Sequence, residues 1–376
     1  MSQWLVASGD FTTLGGMDRA NHAQAAYLAA RGDQLHLVAH RVADDLQAFP
    51  NVHVHGVTRP AGAHLLGAPL LARETRRQAR ALGPGTRTLV NGGNASGRAT
   101  WIHYLHAAHE PRTQATVRSR VSALLGRRYY LARERAIVAG AALVICNSRR
   151  TAADVQRHYG VADSRIRVVY YGVDAGIFGA VTAEERRAAR TALKIPSHRR
   201  AALFIGALGD RRKGFDALFD AWRALAADAA WDTDLLVAGT GAERAVWEQR
   251  AAAAGLAGVH FLGFRGDVAR VIAAADVLVH PARYEAYGLG VHEAICRGVP
   301  AIVTAGAGVA ERYTGATRGL LIEGSVDAAA VTAALRRWRA DADAWPGRFE
   351  LLTASLRTRS WNAMAAEIAA LVEAVA

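Results

Sequence analysis

The chain has 376 residues, 51% hydrophobic and 21% charged, a composition that excludes an intrinsically disordered protein and suits two domains of roughly 150–200 residues. No apolar run reaches the roughly 20 residues that a membrane-spanning helix needs, and the first ten residues do not have the pattern of a signal peptide. Two cysteines, Cys146 and Cys296, cannot form a disulfide framework. We therefore expect a cytoplasmic protein.

The net charge of +13 is distributed unevenly. Residues 1–175 contain 22 arginines and 11 acidic residues, whereas the remainder contains 24 basic and 22 acidic residues. The basic first half is expected to meet an anionic partner. A general compositional bias towards arginine and alanine is the alternative, although it does not explain the difference between the halves.

In the first half, short β-rich runs alternate with longer stretches of helical period, which is typical of a parallel sheet flanked by helices. The predicted strands are Gln3–Ala7, Gln34–Ala39, Val52–Val57, Thr88–Val90, Thr100–His103, Leu143–Cys146 and Arg167–Tyr170. The predicted helices are Met17–Arg31, Ala68–Leu82, Thr113–Ala139 and Thr151–Tyr159. A polar, charged stretch then runs to about residue 200 and marks the domain boundary.

The second half repeats this alternation. Its predicted strands are Ala202–Gly206, Leu235–Ala238, Val259–Leu262, Val277–His280, Ala301–Thr304 and Leu320–Ile322. Its predicted helices include Phe215–Ala227, Ala242–Ala254, Gly290–Arg297 and the amphipathic terminal segment Trp361–Ala376. Two α/β domains imply a cleft between them, and ligands of open α/β sheets bind beyond the carboxyl ends of the strands.

The most informative segment is 280–294, where a predicted strand ends at His280 and a helix begins near Gly288. The backbone N–H groups at this helix start form a site suited to a diphosphate. Glu285 precedes the helix and Glu293 lies within its first turns, so both carboxylates can accept hydrogen bonds from sugar and ribose hydroxyls. Two solvated glutamates at a helix start are the simpler reading, but the glycines, aromatic residues and strand end together favour a ligand site.

This segment resembles the signature of the family 4 retaining glycosyltransferases, which have the GT-B fold. In that signature a glutamate is followed by seven residues and a second glutamate, as in Glu285-Ala286-Tyr287-Gly288-Leu289 through Glu293. The resemblance implies two Rossmann-like domains facing an interdomain cleft: 1–178 binding the acceptor, 179–358 binding the nucleotide-sugar, and 359–376 as a terminal helix crossing back. It implies that Glu285 contacts the donor sugar and Glu293 the ribose. Ala286, Tyr287, Gly288 and Leu289 would complete this part of the donor site.

The resemblance extends along most of the chain. Gly15-Gly16-Met17-Asp18-Arg19 is similar to the family's first glycine loop, which makes Gly15 and Gly16 donor-binding candidates and Arg19 an acceptor-binding candidate. Arg265, in the turn after a predicted strand, is similar to the family's base-recognition loop. His103 matches a family histidine placed near the sugar or the acceptor, and His106 is a second acceptor candidate.

The turn 209–214 carries a second charged cluster after a predicted strand. Arg212 and Lys213 can neutralise the diphosphate that leaves when the glycosidic bond breaks, and the resemblance assigns this role to Lys213. Many family members also have arginine directly after the strand-end glycine, where this chain has Ala207. Arg211 or Arg212 can supply the missing charge.

No metal is predicted to take part in the chemistry, and no cofactor is expected besides the nucleotide-sugar substrate, with UDP or GDP as its nucleotide. The pair Asp232 and Asp234 is placed before its strand, at the wrong end of the sheet for a metal-bound donor. His103, His106 and His109 lie in a strand that leads into a loop without a paired acid, which does not suit a metal site.

The stretch Arg112–Arg135 interleaves arginines with apolar residues. This pattern suits a helix on an anionic membrane surface, while a core-facing helix with a solvated arginine face is an equal alternative. Together with the resemblance it suggests a glycan or lipid-linked acceptor and a role in cell-envelope polysaccharide or glycolipid synthesis.

Three other functions are consistent with parts of the sequence. A non-catalytic nucleotide-sugar or anionic-lipid binder would explain Ala207. A nucleic-acid-binding protein would explain the basic half, but the chain has no helix-turn-helix, aromatic RNA platform or zinc spacing, so no nucleic-acid partner is expected. An epimerase or phosphorylase of two Rossmann domains would share the fold but would not require the two glutamates.

Overall fold

The computed structural model describes residues 2–91, 97–110, 117–209 and 211–375, without the side chains of 117–125. These residues form two compact units: the described residues of 2–110, 117–172 and 359–375 make the first, and 173–358 make the second. The units change at 172/173 and 358/359, whereas the sequence suggested 178/179 and 358/359. At Gly172 a Cβ would collide with the backbone of Ser360, so the end of the last strand segment lies directly against the start of the terminal helix within the first unit.

The first unit is built on a parallel sheet, whose strands are β1 (Gln3–Ala7), β3 (Gln34–Ala39), β5 (Val52–Gly56), β6 (Arg87–Asn91), β7 (Ala99–Ile102), β8 (Leu143–Cys146) and β9 (Ile166–Val168). Their order in the sheet is β5-β3-β1-β6-β7-β8-β9. Two short strands that the sequence did not suggest, β2 (Asp10–Phe11) and β4 (Arg41–Val42), pair in parallel beyond the ends of β1 and β3. This pairing carries Asp10 and Arg41 out past the carboxyl edge of the sheet.

Helices cover this sheet: α1 (Gly16–Ala30), α2 (Asp44–Gln47), α3 (His64–Leu82), α4 (Val117–Gly140), α5 (Arg149–Tyr159) and α13 (Trp361–Glu373). Helix α3 begins four residues before the predicted start, so Pro69 lies inside the helix, where it has no N–H to donate to the carbonyl of Leu65. Helix α5 is capped by Ser148, whose side chain accepts from the N–H of Thr151. Helix α13 packs on α1, where Gln24 donates to the carbonyl of Ala365.

The second unit also has a parallel sheet, whose strands are β10 (Arg200–Ile205), β11 (Thr233–Ala238), β12 (Val259–Gly263), β13 (Val277–His280), β14 (Ala301–Thr304) and β15 (Leu321–Ile322). Their order in the sheet is β12-β11-β10-β13-β14-β15. Its helices are α6 (Ala183–Ala192), α7 (Phe215–Ala226), α8 (Arg244–Ala253), α9 (Val268–Ala274), α10 (Leu289–Cys296), α11 (Ala328–Ala340) and α12 (Trp345–Arg357). Helix α6 lies in the stretch that the sequence suggested was a polar connection.

Central strands of both sheets are buried along their whole length, as expected for sheets covered on two faces. In the first unit, for example, Leu5, Val38, Leu71 and Val90 form one buried cluster. Burying each such side chain stabilises the fold by roughly 1.5–3 kcal/mol. The strand ends, where the backbone leaves these cores, are therefore the fixed points from which polar loops project.

Candidate active site

The loop between β13 and α10 places the predicted glutamate pair. Gly288 precedes α10 with φ at 107°, and a Cβ there would lie 3.1 Å from Val309 and 3.3 Å from Glu285, so glycine suits both the conformation and the space. The loop is held by hydrogen bonds from the N–H of Gly308 to the carbonyl of Glu285 (3.0 Å) and from Val309 to Tyr287 (2.7 Å). This loop therefore fixes the start of α10, where the first backbone N–H groups have no partner within the helix and point outward from its N-terminus.

Glu285 is buried and forms an ion pair with Lys213 and a 2.8 Å hydrogen bond with Nε2 of His280. Burial alone would raise the pKa of Glu285, but the Lys213 ammonium, with His280 and Arg212, holds that pKa well below its usual value. Burial, with the neighbouring Lys213, lowers the pKa of His280. The cluster therefore holds an ionised carboxylate, an ammonium and a neutral imidazole.

The turn before α7 brings Lys213 to this loop. Gly214 has φ at 71°, and a Cβ there would collide with the carbonyl of Pro281, so only glycine allows the two loops to approach so closely. The N–H of Arg283 donates to the carbonyl of Arg212 at 2.8 Å, and Arg212 donates to the carbonyl of Tyr284 at 3.3 Å. The predicted residues Arg212, Lys213 and Glu285 are thus brought together.

The remaining donor-binding candidates in the second unit have different surroundings. Ala286, Tyr287, Leu289 and Glu293 are buried, and the hydroxyl of Tyr287 lies 2.7 Å from Nδ1 of His292. Arg265 follows β12 and pairs with Asp267 through two contacts of 2.7 and 2.6 Å, so it is not joined to the Lys213 cluster by a described contact. Its role in base recognition stays a prediction.

The glycines of 239–241 serve close packing. A Cβ at Gly239 would collide with the carbonyl of Gly206, and a Cβ at Gly241 with that of Leu208. Gly206 leaves room for the Lys213 side chain, because a Cβ at Gly206 would lie only 3.2 Å from Cγ of Lys213. Ala207 is exposed at this strand end. The loops after β10 and β11 are therefore pressed together beside Lys213.

In the first unit, His103 directly follows β7 and is buried beside Trp101. Its Nδ1 contacts the hydroxyl of Tyr171, which also accepts from Nδ2 of Asn147 at 3.1 Å. Because Tyr171 accepts from Asn147, we infer that its proton goes to Nδ1 and that Nε2 of His103 carries the imidazole proton. In the described part of the chain, Nε2 has no hydrogen-bond partner.

Burial lowers the pKa of His103 to about 3, so the ring is neutral at physiological pH. A buried donor with no partner is costly, and such groups are found where a ligand supplies the partner. The sequence indicated His103 but gave no site role to Tyr171 and Asn147, whose contacts hold the histidine in place. Two polar residues after neighbouring strand ends, Asn147 after β8 and Tyr171 after β9, were the available signal.

His106 lies in the 3₁₀ turn His106–Ala108 and is held by Glu134. The buried Glu134 carboxylate accepts from the N–H of His106 at 2.9 Å and from the hydroxyl of Tyr159 at 2.6 Å, and it contacts Nδ1 of His106 at 3.2 Å. The His106 ring also stacks on Tyr130, with ring centroids 4.7 Å apart. These contacts anchor the turn, and an acceptor contact from His106 stays a prediction.

The glycine loop precedes α1. Gly15 has φ at 86° and accepts, through its carbonyl, from the N–H of Arg19 at 3.1 Å, while Gly16 is the first helical residue. Asp18 follows in the first turn, and burial together with the neighbouring Asp10 charge raises its pKa to about 6. Gly15, Gly16 and Arg19 therefore share one turn with an acid that the sequence did not single out.

Asp10 also escaped sequence reasoning. Its two carboxylate oxygens bind Arg41 at 2.8 Å and Arg59 at 2.9 Å. Burial would raise the pKa of Asp10, but these two guanidinium groups lower it below its usual value. The first unit thus has a polar group of four charged residues beside the glycine loop, of which Asp18 has no ion pair in the described residues.

The acids considered for a metal lie elsewhere and are paired. The strand begins at Thr233, so Asp234 is inside β11 and not before it as the sequence suggested, because pairing with β10 starts at Arg200 and Thr233. Asp232 binds Arg339 and Asp234 binds Arg199, the latter at 2.7 Å. Among the described residues, no group of three or more His, Cys, Asp or Glu is disposed to hold a metal ion.

The basic stretch Arg112–Arg135 is described only in part. Residues 112–116 lie outside the described residues, as does Asp210 of the turn before Lys213, and the side chains of 117–125 are not described. The remaining residues belong to α4, whose arginines include the exposed Arg128 and Arg135. Within the described ranges, no helix is both long and apolar enough to cross a membrane.

Two family models match the chain. The model described as Glycosyltransferase Family 4 matches residues 14–176, and the model described as Glycosyl transferases group 1 matches residues 199–341. The chain belongs to the family 4 glycosyltransferases. It has the GT-B fold that the resemblance of its sequence implied, with a parallel α/β sheet in each unit.

Among curated relatives, the lipopolysaccharide glucosyltransferase WaaG of Escherichia coli is 32% identical over 172 residues, which are 45% of this chain and 46% of WaaG. A D-inositol 3-phosphate glycosyltransferase of Geodermatophilus obscurus is 33% identical over 275 residues, or 69% of this chain and 58% of the relative. The matches thus span about half the length of these relatives.

Solved structures match over nearly the whole chain. WaaG superposes with a TM-score of 0.77 at 20% identity, covering 98% of this chain and 99% of WaaG. Anabaena HepE in complex with UDP-glucose superposes with a TM-score of 0.74 at 17% identity, covering 100% of both chains. At these identities the superpositions support the fold.

Proposed function

We propose that this family 4 protein is a cytoplasmic retaining glycosyltransferase that acts without a metal ion. It transfers a sugar from a nucleotide-sugar to a hydroxyl of a glycan or lipid-linked acceptor, in cell-envelope polysaccharide or glycolipid synthesis. The observation that carries the proposal is the buried group of Lys213, Glu285 and His280 beside the start of α10. Such a group offers a cation and a carboxylate at the carboxyl edge of a sheet, where nucleotides bind in this class of fold.

The second unit is the proposed donor domain. The ionised Glu285 carboxylate can accept hydrogen bonds from sugar hydroxyls, and its low pKa keeps it in this form throughout the neutral pH range. Lys213, Arg212 and the N–H groups at the start of α10 are suited to the negative charge of a diphosphate. Glu293, buried in the same helix, is the proposed partner of the ribose.

The proposed reaction breaks the bond between the anomeric carbon and the diphosphate oxygen and forms a bond to the acceptor oxygen on the same face. The electron pair leaves with the diphosphate, and the acceptor proton moves to the departing phosphate oxygen. Lys213 and Arg212 would stabilise the charge that develops on the leaving group, which is a metal-independent form of electrostatic catalysis. The neutral His103 is proposed to donate a hydrogen bond to a substrate hydroxyl.

The relatives support the substrate classes. HepE was solved with UDP and with UDP-glucose, WaaG is a lipopolysaccharide glucosyltransferase, and a Mycobacterium tuberculosis relative is a GDP-mannose-dependent alpha-(1-6)-phosphatidylinositol dimannoside mannosyltransferase. Nucleotide-sugars with UDP or GDP are therefore the first donors to test. Acceptors from the envelope are the first acceptors to test.

The test is a panel of UDP, GDP and ADP and their common sugar conjugates, measured by thermal shift with the wild-type chain and Glu293→Ala. A ligand at about 100 times its dissociation constant should stabilise the protein by roughly 2.7 kcal/mol. The preferred sugar conjugate is then incubated with EDTA and envelope acceptors, and the anomer of the product is read by NMR. A product of inverted configuration, or activity abolished by EDTA, would contradict the proposed mechanism.

A non-catalytic nucleotide-sugar or anionic-lipid binder is the second candidate, because the exposed Ala207 stands where the family resemblance of the sequence implied an arginine. Such a protein would bind a nucleotide in the thermal-shift panel but neither transfer nor hydrolyse its sugar. Restoring the charge with Ala207→Arg would then test whether this position limits turnover.

We also propose that α4 contacts an anionic membrane surface. Arg128 and Arg135 are exposed on this helix, with the half-buried Tyr129, Tyr130 and Leu131 between them. More protein should sediment with vesicles containing phosphatidylglycerol than with vesicles of phosphatidylcholine alone. The double variant Arg128→Gln with Arg135→Gln should reduce this difference. Equal sedimentation with both vesicles would remove this part of the proposal.

A further inference from the structure

The second unit contains a cavity at the amino ends of its strands, on the edge of the sheet opposite to Lys213 and Glu285. It has a volume of about 440 Å³ and is lined mainly by cationic side chains. These are Arg186, Arg190, Arg199, Arg200 and Arg339, and the exposed His198 also lines the cavity. The six residues of β10 separate the two edges by roughly 20 Å. The cavity is therefore distinct from the candidate donor site.

The cationic residues come from separate elements of the fold. Arg186 and Arg190 lie one turn apart on α6, while Arg199 and Arg200 stand at the start of β10. Arg339 lies in the last turn of α11. Their meeting at one cavity is a property of the folded unit, since no run of basic residues in the sequence contains them all.

Carboxylates balance only part of this charge. Asp276 alone serves three guanidinium groups, with Arg186 at 2.6 Å, Arg190 at 3.3 Å and Arg200 at 3.4 Å. Arg200 also binds Asp343, so these three arginines share two acids. Arg199 and Arg339 each have one acid of their own, Asp234 and Asp232. Five guanidinium groups thus meet four carboxylates.

The excess of positive charge affects Arg190. Burial and the nearby charges of Arg186 and Arg200 lower the pKa of Arg190, although Asp276 has the opposite effect. An additional anion in the cavity would relieve this repulsion. Bound oxygens would also replace the water that now solvates the partly exposed guanidinium groups.

Hydrogen-bond donors remain available at the cavity. In the described part of the chain, the Nε–H groups of Arg186, Arg190 and Arg200 have no partner; their NH1 and NH2 groups bind carboxylates and backbone carbonyls. The exposed side chains of Ser197 and His198 likewise have no described partner. Phosphate oxygens are well matched to such donors, because each accepts several charge-assisted hydrogen bonds.

We propose that this cavity is a second anion site, which binds a small molecule carrying two or more phosphate groups. A single phosphate would compete poorly with the four carboxylates already present, whereas an oligophosphate contributes several charges at once. The site does not depend on the donor chemistry proposed above.

The experiment titrates inorganic tripolyphosphate into the full-length chain by isothermal calorimetry. The donor site is a competing location for this probe, so the titration is repeated with Lys213→Met, which removes the cation proposed to hold the diphosphate there. Binding at the second site should survive in this variant. Binding abolished by Lys213→Met would overturn the proposal, because the donor site alone would then account for it.

The site itself is tested with a double variant, Arg200→Gln with Arg339→Gln. A charge-matched control, Arg223→Gln with Arg336→Gln, removes two exposed arginines of the same unit, neither of which lines the cavity. We expect the double variant to weaken tripolyphosphate binding at least tenfold and the control to change it less than twofold. Equal affinity in both variants would overturn the proposal.

Arg200 and Arg339 also hold acids, so the folding of the double variant is checked by its thermal melt. His198→Gln provides a second variant, since His198 is exposed and its replacement leaves every described ion pair of the cavity intact. His198→Gln replaces the imidazole ring that lines the cavity and should weaken tripolyphosphate binding about threefold. No change in His198→Gln, together with unaltered affinity of the folded double variant, would rule out an oligophosphate at this cavity.

Discussion

Replacing Lys213 with methionine removes the charge at the centre of the candidate site and keeps an unbranched side chain. The Glu285 carboxylate would remain buried with His280 as its described partner. Removing one member of a fully buried ion pair costs about 3–5 kcal/mol. The Lys213 and Glu285 side chains are 18% and 11% exposed. Because solvent screens part of this interaction, we expect a loss of about 2–3 kcal/mol in the free energy of unfolding.

The assay combines urea unfolding with nucleotide titration. Adding Glu285→Gln to Lys213→Met should restore part of the lost stability, because no unpaired charge then remains buried. Lys194→Met is the matched control, since Lys194 is the other lysine of the chain and is exposed. Loss of one charge-assisted hydrogen bond, worth about 1.5–3 kcal/mol, should weaken binding of UDP or GDP by about 10- to 100-fold.

The pH dependence of the free energy of unfolding tests the same ion pair. The pKa of Glu285 is depressed in the folded protein, so its contribution to stability is complete above its ordinary value of 4.5 and is lost as the pH falls through the depressed folded value. The acid-induced loss should be smaller in Lys213→Met. If this variant matches Lys194→Met in stability, pH dependence and nucleotide affinity, the reasoning about the buried pair is refuted.

Three further predictions concern single positions. In urea unfolding, Gly214→Ala should destabilise the fold by at least about 2 kcal/mol more than Gly255→Ala. Both glycines have positive φ, but only at Gly214 would a Cβ collide with backbone, so equal losses of unfolding free energy in the two variants would contradict the prediction. Burial and the neighbouring Asp10 carboxylate raise the pKa of Asp18 to about 6, so the free energy of unfolding should fall by about 1–2 kcal/mol as the pH rises from 4 to 6.5. Asp18→Asn should remove this fall, and a variant with the same pH profile as the wild type would contradict the prediction. Burial raises the pKa of both Cys146 and Cys296 to about 12, so native protein at pH 8 should react with iodoacetamide at least 100-fold more slowly than unfolded protein; rapid labelling of the native chain would contradict their burial.

Much of the fold was predictable because its buried strands are short and apolar. Strands β1, β3, β8, β13 and β14 have the bounds that the sequence predicted. Among the elements that escaped prediction, α6 is polar and the paired strands β2 and β4 are very short. Their structure depends on partners distant in the sequence, which no local pattern contains.

The candidate site was predictable where backbone geometry determines it. The glycine at 288 and the strand end at His280 located the loop, and the two glutamates followed from the family signature. The sequence did not indicate that Lys213 would pair with Glu285 or that His280 would be the third member, because 72 residues separate the first two. Only the close approach permitted at Gly214 brings these loops together.

The roles of arginines were harder to predict from the sequence than those of glycines. Where φ is positive, or where a Cβ would collide with a neighbouring atom, glycine is required for that one reason. The position of such a glycine therefore carries structural information by itself. An arginine has five donors and a long side chain, and its role depends on what surrounds it. Arg59 binds Asp10 beside the glycine loop, while Arg190 lies in a cavity with more guanidinium groups than carboxylates. Both are arginines in polar stretches of the sequence, and the charge balance around each one distinguishes a satisfied ion pair from a site that can still bind an anion.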